Sequence, residues 1–229
     1  MVCMSGGKDS FVMALCFKEL LKWTDFKFSV RYVLMNPGYT KEKLLEIKEN
    51  ASKLDIPIEI FETKIFKIAE SQEDKRCYIC AKMRRGALYN HAKEIGCNKI
   101  ALGQHFNDQI ETTLMSILYS GKVETMLPKV KSDNYKNMYL IRPLYLVHED
   151  DIISFEKENE LSFLKCGCFV TENRLLCENS KRQYVKKLIK ELKLDNDNID
   201  KNIFKSMENV NIKKVVAYND GKIKHFNKN

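Results

Sequence analysis

The chain reads as an α/β protein, a doubly wound parallel sheet of about five strands with a helical C-terminal appendage. Three observations predict this. Short apolar and β-branched runs alternate with stretches whose apolar residues recur at helical spacing, the pattern of successive βαβ units. The glycine-containing stretch SGGKDS, residues 5–10, sits between an apolar stub and a helix-like run, the place where α/β sheets carry ligand loops. From about Glu149 onward the alternation gives way to more polar, helical sequence ending in a Lys/Asn-rich tail.

Taken in order, Met1 to Met4 form a short strand and a helix follows from about Lys8 to Lys22. FKFSVRYVLM, residues 26–35, is rich in aromatic and β-branched residues and ends at the turn-forming NPG, so it predicts a second strand. Leu44, Ile47, Ala51 and Leu54 mark an amphipathic helix, and PIEIF, residues 57–61, a third strand. A helix carrying Met83, Ala87 and Ala92 leads to a fourth strand, KIALG, residues 99–103. Ile110, Leu114, Ile117 and Leu118 give a further helical stripe before YLIRPL, residues 139–144, the fifth strand. Trp23 and the cysteines Cys3, Cys16 and Cys97 stand in apolar contexts that predict core packing.

Composition excludes several classes. Of 229 residues, 44% are hydrophobic and 31% charged, as in a folded globular chain long enough to bury a sizeable core. The longest apolar run, FVMALCF, is far short of the roughly 20 residues that span a bilayer. Met1 leads straight into strand-like residues with no basic n-region, so a cytoplasmic location is expected. In that setting eight cysteines point to metal or redox chemistry rather than to disulfides. The net charge of +8 favours a polyanionic partner. Six basic residues and one acidic in KRQYVKKLIKELK, residues 181–193, make Lys181, Arg182, Lys186 and Lys187, with Lys129, Lys131, Arg84 and Arg85, candidates for phosphate contact. Binding through such residues weakens as salt rises.

Two constellations carry chemistry. In SGGKDS, Gly6 and Gly7 allow close backbone approach, Ser5 and Ser10 offer hydroxyls, Lys8 neutralises charge, and the following helix adds its positive end. That is a phosphate cradle, although GxxxxGK[ST] is absent. Asp9 suits a magnesium ion or a helix cap. The second constellation is Cys77 and Cys80 in a CxxC before a helix, with Cys166 and Cys168 in KCGCF and Cys177 beyond. Zinc, a redox pair and coincidence are all open for the CxxC; four thiolates suit zinc or an iron-sulfur cluster.

SGGKDS, CYICAKMRRGALY, ALGQHFNDQIETTL, MLPKVKS and LIRPL occur here in the order of similar stretches in the tRNA 2-thiocytidine synthetase family of the N-type ATP pyrophosphatases, the PP-loop superfamily. The resemblance covers residues 1 to about 193 and implies an adenine nucleotide alpha hydrolase-like (HUP-like) fold. It implies a PP-loop domain over 1–146 and a helical, basic segment over 147–229 that completes the cysteine site. The implied activity is ATP-dependent tRNA thiolation: adenylation of a cytidine C2 oxygen with release of pyrophosphate, then replacement of that oxygen by sulfur.

By the same resemblance Ser5, Gly6, Gly7, Lys8, Asp9, Ser10, Gly103 and His105 bind ATP, with Lys8, Asp9 and Asp108 catalytic and Mg2+ accompanying the nucleotide. A 4Fe-4S cluster is held by Cys77, Cys80 and Cys166, with Cys168 as alternative ligand and Zn2+ as alternative metal. The partners implied are tRNA, a sulfur donor (a cysteine desulfurase persulfide or sulfide) and a second copy in a homodimer. Two departures stand out: the chain begins four residues before Ser5, and the family's Gly-His-His-x-Asp-Asp reads Gly103, Gln104, His105, Phe106, Asn107, Asp108, with an amide for the first carboxylate. Competing readings are uridine thiolation, lysidine formation, which needs no cluster, and a zinc-stabilised RNA-binding module with a degenerate loop.

Overall fold

The computed structural model describes residues 1–70, 76–164, 180–221 and 223–227, with Glu70, Arg76 and Cys77 described for the backbone alone. Its centre is a six-stranded sheet of order β3-β2-β1-β4-β6-β5. The strands are β1 (Val2–Met4), β2 (Tyr32–Asn36), β3 (Ile58–Glu62), β4 (Lys99–Ala101), β5 (Lys129–Lys131) and β6 (Tyr139–Ile141). β3, β2, β1, β4 and β6 pair in parallel, and β5 runs antiparallel to β6 at the edge. The parallel α/β sheet expected from the alternation is therefore present. The order reverses between β1 and β4, and that switch point opens a crevice beyond the strand ends.

Every residue of β2 is buried, as a central strand covered on both faces requires. Tyr32 and Leu34 join Phe11, Met13, Ile47, Ile152 and Phe163 on one face; Val33 joins Tyr89, Ala92, Ile100 and Met138 on the other. This period-two split lets helices close both sides. The first face carries α1 (Lys8–Trp23), α2 (Lys41–Lys53) and α6 (Glu149–Glu158). On the second lies α4 (Arg76–Glu94), preceded by the short α3 (Ile65–Glu70). α5 (Phe106–Ser120) packs against α7 (Lys181–Asp195) and α8 (Ile199–Ser206) through Phe106, Ile110, Val185 and Ile189, with Phe204 stacked on Phe106.

Local chemistry sets the ends. Thr40 caps α2 by accepting from the Lys43 N–H, and Ser180 caps α7 by accepting from Gln183 N–H. α5 stops at Gly121, whose left-handed φ of +61° closes the helix.

Several sequence expectations need correction. The second strand starts at Tyr32 rather than Phe26, and Phe26 stacks on Phe28 outside the sheet. The last parallel strand ends at Ile141, because the next residue turns its N–H to the Pro128 carbonyl and Pro143 has none to give. β5 went unanticipated because KVK, exposed at the sheet edge, lacks the apolar run that marks the equally short β1, β4 and β6. The C-terminal tail contains an unexpected hairpin, β7 (Ala217–Asn219) with β8 (Lys224–Phe226), turned around Asp220 and Gly221. Trp23 is 82% exposed and Cys16 is exposed, so neither belongs to the core: α1 buries Phe11 to Ala14 and lets its last turns run into solvent. Cys3 is enclosed, and burial pushes its thiol up to about 12.

Candidate active site

The loop of residues 5–7 leaves β1 and enters α1 as a tight, internally bonded turn. Ser10 Oγ donates to the Gly7 carbonyl at 2.8 Å and accepts from the Ser5 N–H at 3.1 Å, so both serines are spent on shaping the loop. Gly6 has φ +86°, and a Cβ there would stand 2.7 Å from Ile47 and 2.9 Å from Leu164. A side chain at Gly103 would stand 3.0 Å from the Asp9 carbonyl, so the β4–α5 turn abuts the first turn of α1 backbone to backbone. These contacts set the N-terminus of α1 beside the crevice, where Asp9 and Ser10 of its first turn line the cavity.

A cavity of about 510 Å³ lies over the ends of β2, β1, β4 and β6, within the range that holds a small-molecule substrate. Ser5, Asp9 and Ser10 form one wall; Gly103, Gln104 and Asp108 continue it; Ala81, Arg84, Arg85 and Leu88 of α4 form the opposite wall. Position 77 lies one helical turn before Ala81 on α4, and Cys80 immediately before it is half-buried. The Cys77 side chain lies outside the described residues, as do Cys166, Cys168 and Cys177 entirely. Leu164 is the last described residue before them, and its N–H donates to the Gly6 carbonyl at 3.2 Å. Phe163 beside it stacks on Phe11, 4.7 Å between centroids, which ties this segment to the loop.

Charged groups converge on the loop. Lys8 Nζ donates to Asp9 Oδ1 at 2.8 Å and to Glu149 Oε1 at 3.4 Å; the other oxygen of Glu149 accepts from Lys186 at 2.5 Å. Burial works against the Lys8 charge, but the two carboxylates outweigh it and hold the ammonium above its ordinary range. Burial likewise opposes ionisation of Glu149, yet Lys186 and Lys8 keep it below the usual carboxylate value. His105 Nε2 stands 3.9 Å from Asp9 Oδ1 and 3.5 Å from Asp108 Oδ2, and that same Asp108 oxygen accepts from the His105 N–H at 3.2 Å. Asp108 Oδ1 accepts from Arg182 at 2.7 Å.

Asn107 points elsewhere. Its amide oxygen accepts from the Glu149 N–H at 2.9 Å, fixing the start of α6, so this substitution serves the joint between α5 and α6. Among the described residues no cluster of three His, Cys, Asp or Glu side chains is arranged to hold a metal ion.

The structure thus gathers Ser5, Asp9, Ser10, Gly103, Asp108, Arg84 and Arg85 around one cavity, with Lys8 and His105 beside Asp9. It divides the basic candidates. Lys129 and Lys131 are exposed on the edge strand, with Lys129 over the Tyr139 ring, Lys181 lies over Tyr119, and Lys187 is exposed; Arg182 and Lys186 instead turn inward onto acids. Glu149 and Glu111 were not anticipated: no motif marks Glu149, and Glu111, although inside ALGQHFNDQIETTL, carries no role in the sequence reading. Arg142, just past the end of β6, donates to Gln104 Oε1 at 2.6 Å and to the Leu127 carbonyl.

Glu111 yields a pH prediction. Burial, more than any neighbour, pushes its carboxyl from 4.5 up to about 7, against the pull of Arg182. Between those two values the folded chain retains a proton that the unfolded chain has lost. The Glu111 contribution to stability is full below pH 4.5, falls as pH rises toward 7 by about 3 kcal/mol, and is level above. Glu111→Gln should remove this fall, read as urea midpoints at pH 5 and pH 8; a variant that keeps the wild-type fall would refute the assignment.

Residues 1–167 match the family model described as a PP-loop domain. A tRNA-cytidine(32) 2-sulfurtransferase of Legionella pneumophila is 35% identical over 92% of this chain and 73% of its own length. Proteins of the same name from Coxiella burnetii (32%, covering 92% and 81%) and Francisella tularensis (36%, covering 92% and 82%) are similar to the same extent. Among solved structures, the U34-tRNA thiolase NcsA of Methanococcus maripaludis, determined with its 4Fe-4S cluster, superposes with a TM-score of 0.68 at 21% identity over 91% of this chain and 71% of that one, a likeness of fold. With a glycine turn at the sheet's switch point and relatives matching over nearly its whole length, this chain belongs to the PP-loop domain family, alongside the tRNA-cytidine(32) 2-sulfurtransferases.

Proposed function

We propose that the chain is an ATP-dependent tRNA sulfurtransferase acting on cytidine. The observation that carries this reading is the single cavity bounded on one side by the Ser5–Ser10 loop and on the other by α4, the helix that bears the CxxC. The cavity volume, and a turn packed so tightly on Ile47 and Leu164 that only glycine fits at position 6, suit a nucleoside triphosphate. The loop N–H groups and Lys8 would meet the β- and γ-phosphates, and stabilise the pyrophosphate as it departs. The C2 oxygen of the base attacks the α-phosphorus, one P–O bond forms as another breaks, and AMP is joined to the base. Sulfur then adds at C2 and AMP leaves with the oxygen. Magnesium carried by the triphosphate would be met by Asp9 and Asp108.

Cys77, Cys80 and Cys166 would hold a 4Fe-4S cluster, Cys168 being the alternative third ligand. With three protein ligands such a cluster has one open iron, which when bound supplies a place to present sulfur. Cys166 follows Leu164 by two positions in the sequence, and Leu164 bonds the loop, which supports the same cavity for both chemistries. The target base must be unstacked to enter, so a loop of tRNA is the expected partner, with Lys129, Lys131, Lys181 and Lys187 as phosphate contacts. Hydrosulfide would supply the sulfur at the oxidation level of the product; a cysteine desulfurase persulfide would supply it only together with a thiol reductant that contributes the two electrons needed to release it.

The test is anaerobic purification with iron, sulfide and zinc analysis, followed by ATP-dependent thiolation of bulk tRNA read by nucleoside mass spectrometry. Iron with sulfide and new 2-thiocytidine is expected. Thiouridine instead would move the target base, and a colourless, zinc-containing protein that binds RNA but no ATP would overturn the reading.

A further inference from the structure

Two basic side chains of α7 leave the solvated face to which their sequence run assigns them. Arg182 Nη1 donates to Asp108 Oδ1 at 2.7 Å and to Glu111 Oε2 at 3.4 Å, while Nη2 donates to Thr112 Oγ1 at 3.2 Å. One turn later Lys186 reaches Glu149. Both lie beyond residue 167, where the match to the PP-loop model ends. We propose that Arg182 is a positioning residue of the nucleotide-activating site, clamping the Asp108 carboxylate against His105 at the cavity rim, and is not a contact for RNA phosphate. The proposal rests on the ATP-dependent thiolation argued above.

The geometry carries it in three steps. Asp108 sits in the first turn of α5, where a carboxylate with one partner could rotate freely. Here its two oxygens have separate partners: Oδ1 takes Arg182, and Oδ2 faces the main-chain N–H and the ring of His105. The second step is the fork. Asp108, Glu111 and Thr112 stand three and four positions apart on one face of α5, and only a planar guanidinium reaches all three acceptors from one direction. The third step leads to the loop, because His105 lies between Asp108 and Asp9, whose Oδ1 in turn accepts from Lys8. An arginine so committed would have to surrender a charge-assisted bond to reach an RNA phosphate.

The experiment compares Arg182→Gln and Arg182→Lys with the wild type in the full chain. It measures thiolation kcat, KM for ATP and tRNA, and tRNA affinity across a range of salt. For Arg182→Gln we expect kcat to fall about 100-fold, as for a misplaced reacting group. The salt slope of tRNA binding should stay unchanged, where loss of a phosphate contact would lower it by about one. Arg182→Lys, which retains charge but not the fork, should recover only part of kcat, and carries the test alone if the glutamine variant fails to fold. The double variant Arg182→Gln/Asp108→Asn should be no slower than Asp108→Asn alone, since both act through one carboxylate. A normal kcat with a reduced salt slope, or losses that multiply in the double variant, would overturn the clamp. An inactive wild type would overturn the functional reading and the clamp together, whereas an active wild type beside fully active variants overturns the clamp alone.

Discussion

Gly6→Ala is expected to abolish ATP-dependent thiolation and to destabilise the fold. Two independent terms act at this position. The φ of +86° lies in the left-handed region, which costs an L-residue about 1–2 kcal/mol. The added methyl would also stand 2.7 Å from two Ile47 carbons and 2.9 Å from Leu164 Cδ1; the half-buried Leu164 side chain can turn aside, but Ile47 is fully buried and has little room to yield. Overpacking of a filled core costs about 1–3 kcal/mol more. Relief requires the loop to shift, and a displacement of about 1 Å in a phosphate cradle lowers kcat by roughly 100-fold. Urea denaturation and ATP titration of the variant measure both terms. Wild-type ATP affinity and stability together would show that the turn is not the cradle. Gly121→Ala is a useful comparison, since the same kind of φ occurs there with open space around it and only the strain term should remain.

The second large effect belongs to the cysteines. Cys80→Ser, and Cys77→Ser separately, should yield protein that loses its iron and sulfide on anaerobic purification and forms no detectable thiocytidine, while ATP affinity stays within about threefold. The separation follows from the layout of the site: ATP is assigned to the β1–α1 loop and these two thiolates to the start of α4, whose next turn lines the far side of the cavity. A thiolate is both the ligand and the charge balance for iron, and a serine hydroxyl does not replace it near neutral pH. A Cys80→Ser variant with its full iron content and activity would remove that residue from the ligand set. If ATP binding disappeared with the iron, the two sites would be one cooperative unit rather than neighbours.

The acid and base groups around the loop explain why Lys8 is held rather than loose. Glu149 begins α6, its N–H is capped by Asn107, and its two oxygens tether Lys8 and Lys186. An amide at position 107 accepts that N–H without adding a charge beside Glu149. The loop ammonium has Asp9 and Glu149 as its counter-ions, and Asp108 faces His105 and Arg182.

What could be read from the linear chain is what contiguous residues decide. The strand-helix alternation, the glycine turn at residues 5–7, the CxxC and the order of the five stretches all rest on neighbours within one element. Short-range chemistry such as turn formation, helix period and thiolate spacing follows from them directly. β5 and the β7–β8 hairpin escaped because KVK and KHF lack the apolar runs that marked the equally short β1, β4 and β6, which left β7 no visible partner, and Trp23 and Cys16 misled because an apolar residue in an apolar run says nothing about which turn of the helix meets the core. Tertiary structure alone decided the roles of Glu149, Arg182 and Lys186. In sequence Arg182 is one more cation in a basic helix, 74 positions from Asp108, and Glu149 is 141 positions from Lys8. Whether such a charge meets solvent or a buried carboxylate depends on how α5, α6 and α7 pack, which composition and periodicity do not contain.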